Sequence, residues 1–300
     1  MENKKILITG SSGMIGSELV NVLKANNCIV HGLDRTKTVF ADPDKYIKHD
    51  LRVPIYLDEQ YDYIIHLAAN ARVIDLIKNP NLALENAITT FNAIEYARKT
   101  HTKFIFASSR EIYGNGQKLP IDEKQGSQRT IESPYSASKL FGEALVYSYI
   151  SSYGLDAKIV RFSNVYGKYD YSDRFIPKMI NLMRENEPVE IWGEDKILDF
   201  TYITDAAKGV LCLLENWHEA QAIEYNIASG EKYSLFEVAG KLIILLKSQS
   251  QINFLPVITG EVHSFQADIS RIKKYGWEPA VDLMSGLEKT ISWYNNNPNA

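Results

Sequence analysis

The sequence has little cysteine, no long apolar run and no strong excess of charge. Its 300 residues include two cysteines, Cys28 and Cys212, whose spacing suits neither a disulfide framework nor a metal site. The densest apolar run, residues 242–246, is far shorter than the ~18 residues that a membrane span needs. With 33 basic and 37 acidic residues the net charge is −4, so no basic field attracts nucleic acid. These absences predict a cytoplasmic protein that binds no metal, no membrane and no nucleic acid.

What the sequence does contain is an alternation of short apolar strands and amphipathic helices. Strands are predicted at residues 5–9, 29–33, 63–67, 104–108 and 158–162, and helices at 13–26, 81–99 and 134–153. This order predicts an α/β fold with a doubly wound parallel sheet of the Rossmann type. After about residue 165 the pattern loosens, and further helices are predicted at 174–184, 205–216, 234–247 and 283–294.

The same change of pattern predicts two domains. We expect a dinucleotide-binding Rossmann domain over residues 1–165 and a smaller α/β substrate-binding cap over residues 166–300. Some segments of the cap, about 196–215, are expected to return to the first domain. No low-complexity linker separates the halves, which indicates a cap packed on the first domain rather than a tethered module.

A glycine-rich turn joins the first strand to the first helix. Gly10 permits a tight turn, Gly13 lets backbone N–H groups approach a pyrophosphate, and Gly16 lets the helix sit close to the sheet. Asp34 ends the second strand, where a carboxylate accepts hydrogen bonds from ribose hydroxyls and repels a 2′-phosphate. Arg35 beside it softens that preference. The turn therefore predicts a dinucleotide site for NAD, with NADP the less favoured cofactor.

A second group of residues predicts redox chemistry on an alcohol. Tyr135 and Lys139 share one face of a predicted helix, and the ammonium together with an oxidised nicotinamide favours the tyrosine phenolate. Ser109 follows a strand at the sheet edge where such folds bind ligands, and it can hydrogen-bond the reacting oxygen. Glu111 either acts as an acid or base or pairs with Arg110, and the sequence leaves both alternatives open.

Further segments stand in a recognisable order: residues 9–16 (TGSSGMIG), 50–52 (DLR), 66–69 (HLAA), 161–167 (RFSNVYG) and 199–205 (DFTYITD). With the residues above, they resemble the extended short-chain dehydrogenases/reductases, the NAD-dependent epimerase/dehydratase group acting on nucleotide sugars. The resemblance covers nearly the whole chain. It implies a catalytic set of Ser109, Tyr135, Lys139 and Glu111. The implied substrate contacts are Ser109, Arg110, Glu111, Asn164 and Arg174. The implied cofactor contacts are Gly10, Ser12, Gly13, Met14, Ile15, Asp34, Arg35, Asp50, Leu51, Leu67, Ala68, Ala69, Asn86, Ser108, Tyr135, Lys139, Phe162 and Val165.

Two departures from the family pattern bear on the substrate. The resemblance implies arginines that reach a substrate diphosphate, but this chain has Leu198 and Ile258 in those places. Either other cations replace them, with Lys168, Arg174 and Lys178 as candidates, or the substrate is not a standard nucleoside diphosphate sugar. Arg110 stands where the family's dehydratases have an acid, and a guanidinium does not readily donate a proton, so 4,6-dehydration is disfavoured.

The function expected is NAD-dependent oxidation of a hydroxyl, at C4 in the leading interpretation, of a nucleotide-activated sugar, giving a 4-epimer or a 4-keto sugar. The alternatives are a nucleotide-sugar decarboxylase or dehydratase that uses Glu111, and a dehydrogenase of a non-nucleotide sugar. A dinucleotide-sensing protein without catalysis is also considered. The resemblance further implies a homodimer, formed through the helices at 81–99 and 134–153. Apolar residues that suit such an interface are Ala87, Ile88, Phe91, Ile94, Leu140, Leu145 and Tyr149.

Overall fold

The centre of the molecule is a parallel sheet of seven strands. The structure is a computed structural model, and it describes residues 1–38, 40–125 and 131–297. Its strands are β1 (Lys5–Thr9), β2 (Ile29–Asp34), β3 (Lys45–Lys48), β4 (Tyr63–His66), β5 (Lys103–Ser109), β6 (Ala157–Phe162), β7 (Asn164–Tyr166), β8 (Val189–Trp192), β9 (Ile197–Leu198), β10 (Phe200–Tyr202), β11 (Glu224–Ile227), β12 (Tyr233–Ser234) and β13 (Ile252–Leu255). The sheet order is β11-β6-β5-β4-β1-β2-β3, which confirms the predicted doubly wound parallel sheet.

Helices connect these strands and close over the sheet. Their bounds are α1 (Met14–Ala25), α2 (Val73–Lys78), α3 (Asn81–Lys99), α4 (Pro134–Tyr153), α5 (Phe175–Arg184), α6 (Ile203–Glu215), α7 (Leu235–Leu246), α8 (Ser270–Lys273) and α9 (Leu283–Asn296). The seven helices predicted from the sequence are confirmed to within two residues at each end. The short α2 and α8 were not predicted, because helices of six and four residues leave almost no apolar periodicity.

Alternate residues of the inner strands of the main sheet enter two separate hydrophobic cores, one on each face of the sheet. In β1, Ile6 and Ile8 pack in the core that contains Leu19 of α1. Leu7 points to the other face, into the core that contains Ile94 of α3. All three β1 residues are fully buried, as expected of a parallel sheet covered on both sides. This burial fixes the strand ends, and therefore the position of the residues that follow them.

The second half of the chain is interleaved with the first. Helix α6 packs against α1, and β11 pairs in parallel with β6 as the last strand of the main sheet. The remaining short strands form three two-stranded sheets, β10 with β7, β12 with β9 and β13 with β8. The domain boundary at residue 165 stays a prediction. Within the described ranges, no helix combines the length and the apolar character that crossing a bilayer requires.

Candidate active site

The glycine turn after β1 is too tight for side chains at two positions. Gly10 has φ +72°, and a Cβ there would lie 2.7 Å from the Ala68 backbone nitrogen. A Cβ on Gly16 would lie 2.1 Å from the Gly10 carbonyl oxygen. Met14 and Ile15 form the first turn of α1, where backbone N–H groups lack partners within the helix. This cradle has the shape and the donors that a pyrophosphate needs.

A smaller cavity of about 170 Å³ extends from this turn toward Asp34. One carboxylate oxygen of Asp34 accepts the Ser12 N–H at 3.0 Å and the other accepts the Thr36 N–H at 3.2 Å. Ser12 therefore positions Asp34 and does not line either cavity itself. Hydrogen bonds from Arg52 lower the pKa of Asp50 to about 2. The cavity has residues suited to the adenosine half of a dinucleotide. Of the residues predicted to contact the cofactor, Arg35, Asp50, Leu51, Ala68 and Asn86 line it.

Asn86, which lines that cavity, makes three side-chain hydrogen bonds to neighbouring elements. Its side-chain oxygen accepts the Asn70 N–H at 2.7 Å, and its amide donates to the Asn70 carbonyl at 3.0 Å and to Ser138 Oγ at 3.2 Å. Ser138 lies on α4 between Tyr135 and Lys139. Asn86 thus links α3 and the loop after β4 to the helix that carries the predicted catalytic pair.

Helix α4 and the end of β5 bring Ser109, Tyr135 and Lys139 together. Ser133 caps α4 by accepting the Ser136 N–H, which fixes the start of the helix. The Ser109 side chain lies close enough to the Tyr135 phenol to lower its pKa. Lys139 Nζ donates to the Ala107 carbonyl at 2.8 Å and lies 5.8 Å from the centroid of the Tyr135 ring. The three predicted residues therefore form one cluster.

Burial dominates the titration of this cluster. Desolvation raises the pKa of Tyr135, while interaction with the Ser109 side chain and the nearby positive charge of Arg174 lower it. Desolvation also lowers the pKa of Lys139 to about 8, and the charge of Glu143 opposes that shift. The raised phenol pKa is opposite in direction to the effect that the sequence analysis expects from Lys139. A phenolate at neutral pH therefore needs positive charge beyond that of the lysine.

The cluster opens into a larger cavity, the main cavity of the site, of about 590 Å³. It is continuous with the glycine turn at one side and reaches the second half of the chain at the other. Among the residues predicted as cofactor or substrate contacts, its lining contains Gly10, Gly13, Met14, Ile15, Leu67, Ala69, Ser108, Ser109, Arg110, Glu111, Tyr135, Lys139, Phe162, Asn164, Val165 and Arg174. Leu198 and Ile258 line it too, so the cavity is apolar where the family pattern has arginines.

Arg110 and Glu111 form a buried ion pair on the wall of this cavity, at 2.7 Å. Arg110 Nε also donates to Asn164 Oδ1 at 3.2 Å. Arg110 Nη1 and Glu111 Oε2 have no hydrogen-bond partner in the described part of the chain. Burial raises the pKa of Glu111, and the Arg110 charge opposes this. Of the two alternatives for Glu111, the pairing with Arg110 is present in the structure.

A second buried ion pair beneath the cluster was missed by the sequence analysis. Glu143 accepts hydrogen bonds from Arg161 at 2.9 and 2.6 Å and from Ser108 Oγ at 2.5 Å. Arg161 in turn donates to the Tyr113 hydroxyl at 3.1 Å. The available signal was that Glu143 lies one helical turn after Lys139 and so shares its face.

The candidate cations separate into two groups. Lys168 forms an ion pair with buried Glu18 at 2.8 Å and lies outside the cavity lining. Arg174 and Lys178 both line the cavity, four residues apart at the start of α5. A further cation that was missed, Lys196, also lines it, paired with Glu261 at 2.5 Å. No group of three or more metal-ligating side chains occurs among the residues that the structure describes.

Comparison with known proteins places this arrangement in a family. The model of the NAD dependent epimerase/dehydratase family matches residues 6–228. The chain belongs to this family. It is 32% identical to a putative UDP-glucose 4-epimerase of Methanocaldococcus jannaschii, over 97% of this chain and 99% of that protein. It is 28% identical to the human dTDP-D-glucose 4,6-dehydratase, over 98% and 91%.

The structural comparison agrees with the family assignment. The crystal structure of the Thermotoga maritima UDP-glucose 4-epimerase with UDP-glucose superposes with a TM-score of 0.89 and 26% identity, covering 98% of this chain and all of that one. The resemblance to extended short-chain dehydrogenases/reductases is therefore confirmed, and the chain is an enzyme of this family.

Proposed function

We propose that the enzyme uses NAD to oxidise the C4 hydroxyl of a nucleotide-activated sugar and then returns the hydride or releases the ketone, as an epimerase or a 4-dehydrogenase. The observation that carries the proposal is the buried cluster of Ser109, Tyr135 and Lys139, which lines the same cavity as the glycine turn. Support for C4 comes from the relatives, whose names include a 4-epimerase and a 4,6-dehydratase.

In this proposal the chain's own residues move one proton. When bound, NAD accepts the hydride from the carbon that carries the hydroxyl. The Tyr135 oxygen takes the hydroxyl proton, and Ser109 Oγ holds the reacting oxygen in line with it. Lys139 supplies positive charge below the ring and, through its remaining N–H groups, donors for a ribose. Because Tyr135 and Lys139 are buried, water does not compete for the proton.

The cofactor preference rests on Asp34. Its carboxylate lies in the smaller cavity and is held by two backbone N–H groups, so it presents negative charge to a ribose. A 2′-phosphate would be repelled there, which favours NAD over NADP. Arg35 lines the same cavity and weakens that repulsion.

The substrate diphosphate is assigned to Arg174 and Lys178. Neither has an ion-pair partner among the described residues, and both line the main cavity. They would replace the two arginines that the chain lacks at Leu198 and Ile258. Dehydration is disfavoured because Arg110 cannot supply the proton that a leaving hydroxyl needs.

The test compares two tyrosines of α4. Tyr135→Phe should lower kcat by ~100-fold or more while leaving NAD affinity unchanged, because the ring remains but the proton acceptor is lost. Tyr147→Phe, at an exposed position of the same helix, is the matched control and should keep full turnover. Activated sugars would be incubated with each protein and the products analysed for epimers, ketones and CO2. Equal turnover of the two variants would contradict the catalytic assignment, and CO2 would favour decarboxylation.

We also propose a homodimer formed through α3 and α4. Leu84, Ile88 and Phe91 form an exposed apolar stripe on α3, and Phe141 is exposed on α4. Two residues expected at this interface, Ile94 and Tyr149, are instead buried within the subunit. Phe91→Glu should convert a dimer to a monomer in light scattering, and an unchanged mass would refute this interface.

A further inference from the structure

The wall of the main cavity in the second half of the chain carries an open carboxylate and an open indole. Val189 and Ile191 of β8 are fully buried, so the alternate residues Glu190 and Trp192 share the outer face of the strand. Both line the same cavity as Tyr135. Trp192 is 39% exposed. The two side chains thus offer a stacking surface and a hydrogen-bond acceptor next to each other.

Six of the eleven charged residues that line the cavity form ion pairs with one another, and five do not. The paired residues are Arg72 with Asp173 at 2.6 Å, Arg110 with Glu111 at 2.7 Å and Lys196 with Glu261 at 2.5 Å. Within the described ranges, Lys139, Asp170, Arg174, Lys178 and Glu190 line the same space without an ion-pair partner. Lys139 donates to the Ala107 carbonyl and Asp170 accepts from Ser172, whereas Arg174 donates only to the Ala71 carbonyl. The side chains of Lys178 and Glu190 form no hydrogen bond with the described residues, which leaves Glu190 as the open carboxylate. Two cations suit a diphosphate. One unpartnered carboxylate beyond them calls for a group that donates hydrogen bonds.

We propose that Glu190 and Trp192 bind a guanine base, so that the substrate is a guanosine diphosphate sugar; this rests on the proposed function, which supplies the nucleotide-linked sugar. Guanine presents two neighbouring donors, N1–H and the N2 amino group, to the two oxygens of a carboxylate. Uracil and thymine present a single N3–H between two carbonyl oxygens, which a carboxylate repels. Cytosine and adenine each present an amino group beside a ring-nitrogen acceptor. Guanine therefore matches Glu190 best, and Trp192 stacks on its face.

The position of α5 fits this arrangement. Arg174 is the N-cap of α5 and Lys178 lies near the start of that helix, and both line the cavity. Helix α5 packs against β8, which carries Glu190 and Trp192. Along the cavity the cluster at Tyr135 comes first, the cations Arg174 and Lys178 follow, and the residues Glu190 and Trp192 come last. A nucleoside diphosphate sugar has the same order of sugar, diphosphate and base.

The test is calorimetric titration of GDP, UDP, dTDP, CDP and ADP into the NAD-loaded enzyme. GDP should bind ~10-fold or more tightly than UDP, as expected for charge-assisted hydrogen bonds made by one base and refused by the other. Glu190→Gln should lower the affinity for GDP by ~10-fold or more and reduce the ratio of GDP to UDP affinity, because an amide donates hydrogen bonds as well as accepting them. Glu194→Gln, an exposed acid two residues past Trp192, is the control and should change neither affinity.

A second variant separates base recognition from charge. Lys178→Met should weaken all five diphosphates by a similar factor and leave the GDP preference intact. A tighter binding of UDP, dTDP, CDP or ADP, or a GDP affinity unchanged by Glu190→Gln, would overturn the guanine assignment while leaving the proposed chemistry standing. No heat with any of the five would overturn both, because the substrate would then not be a nucleotide sugar.

Discussion

The two sides of the active-site cleft differ in how their polar groups are satisfied. On the cofactor side, Asp34, His66 and Glu143 each have two or more hydrogen bonds from the protein itself. On the substrate side, Lys178 and Glu190 have no ion-pair partner in the described ranges, although both line the cavity. These three groups of the cofactor side are thus held by the protein before any ligand binds, whereas Lys178 and Glu190 are left open to a ligand.

This difference separates stability from specificity. A substitution in the saturated cofactor side leaves a buried group without its partner, which costs folding free energy. A substitution in the open substrate side removes a contact to ligand and leaves the folded protein little changed. Nucleotide sugars that share NAD chemistry can therefore be distinguished by a few side chains of the second half, on a common catalytic frame.

The largest expected effect compares the two buried ion pairs. Glu143→Gln leaves the Arg161 guanidinium buried without a countercharge, and we expect the free energy of unfolding to fall by ~3–5 kcal/mol. Glu111→Gln should cost less than half of that, because Glu111 has one contact with Arg110 whereas Glu143 accepts two hydrogen bonds from Arg161 and one from Ser108. Urea unfolding of both variants measures the difference. Equal losses would show that the Arg110–Glu111 pair contributes as much to the free energy of unfolding as the Arg161–Glu143 pair.

The second prediction tests the glycine cradle. Gly16→Ala places a methyl group 2.1 Å from the Gly10 oxygen, so α1 must shift away from the turn. Overpacking of this kind costs ~1–3 kcal/mol, and we expect NAD affinity to fall by ~10- to 100-fold. Gly240→Ala is the matched control, because no atom lies within 4 Å of its added Cβ in α7. That variant should gain ~0.5–1 kcal/mol from helix propensity and bind NAD normally.

The third prediction concerns pH. His66 is held between Thr9 and Thr90, and burial lowers its pKa to about 3. In the unfolded chain the His66 imidazole takes up a proton near pH 6.5, whereas in the folded chain it stays neutral. The free energy of unfolding is therefore at its full value above pH 6.5 and falls as the pH drops below it. At pH 5 the loss is ~2 kcal/mol. Urea unfolding at pH 7 and pH 5 should show this loss in the wild type and much less of it in His66→Gln.

A control separates this effect from general acid instability. His218 is exposed, so His218→Gln should leave the wild-type pH dependence in place. If His66→Gln and His218→Gln lose stability in parallel between pH 7 and pH 5, another group carries the acid sensitivity, and the cofactor side is not as tightly buried as its hydrogen bonds indicate.

The sequence predicted those parts that depend on local pattern. The bounds of α3 and α4 follow from apolar periodicity and from Ser133 and Pro134 at the start of α4, and the cluster of Ser109, Tyr135 and Lys139 follows from their places on elements whose ends meet. Pairings between distant residues have no such signature. Lys168 was one of three candidate cations for the substrate diphosphate, but its partner is Glu18, 150 positions earlier in the sequence.

Short elements were missed for a related physical reason. Strands β8 and β13 have four residues each, and their stability comes from pairing with each other rather than from local preference. The significance of Glu190 depends on that pairing, because only the burial of Val189 and Ile191 shows which face of β8 turns to the cavity. Residues of the substrate side are therefore harder to identify from sequence than those of the glycine turn.

The smallest expected effect on stability concerns Asp34, which both accepts hydrogen bonds within the protein and faces a ligand cavity. Asp34 belongs to the saturated cofactor side, yet its carboxylate also faces the smaller cavity. Asp34→Asn keeps an acceptor for the Ser12 N–H but removes the charge, so the free energy of unfolding should fall by only ~1 kcal/mol. The affinity for NADP relative to NAD should rise by ~10-fold, because the repulsion of a 2′-phosphate is lost and Arg35 remains. Fluorescence titration with NADH and NADPH measures the ratio. A large loss of stability with an unchanged ratio would mean that Asp34 serves the turn alone, and that the cofactor side contributes no specificity.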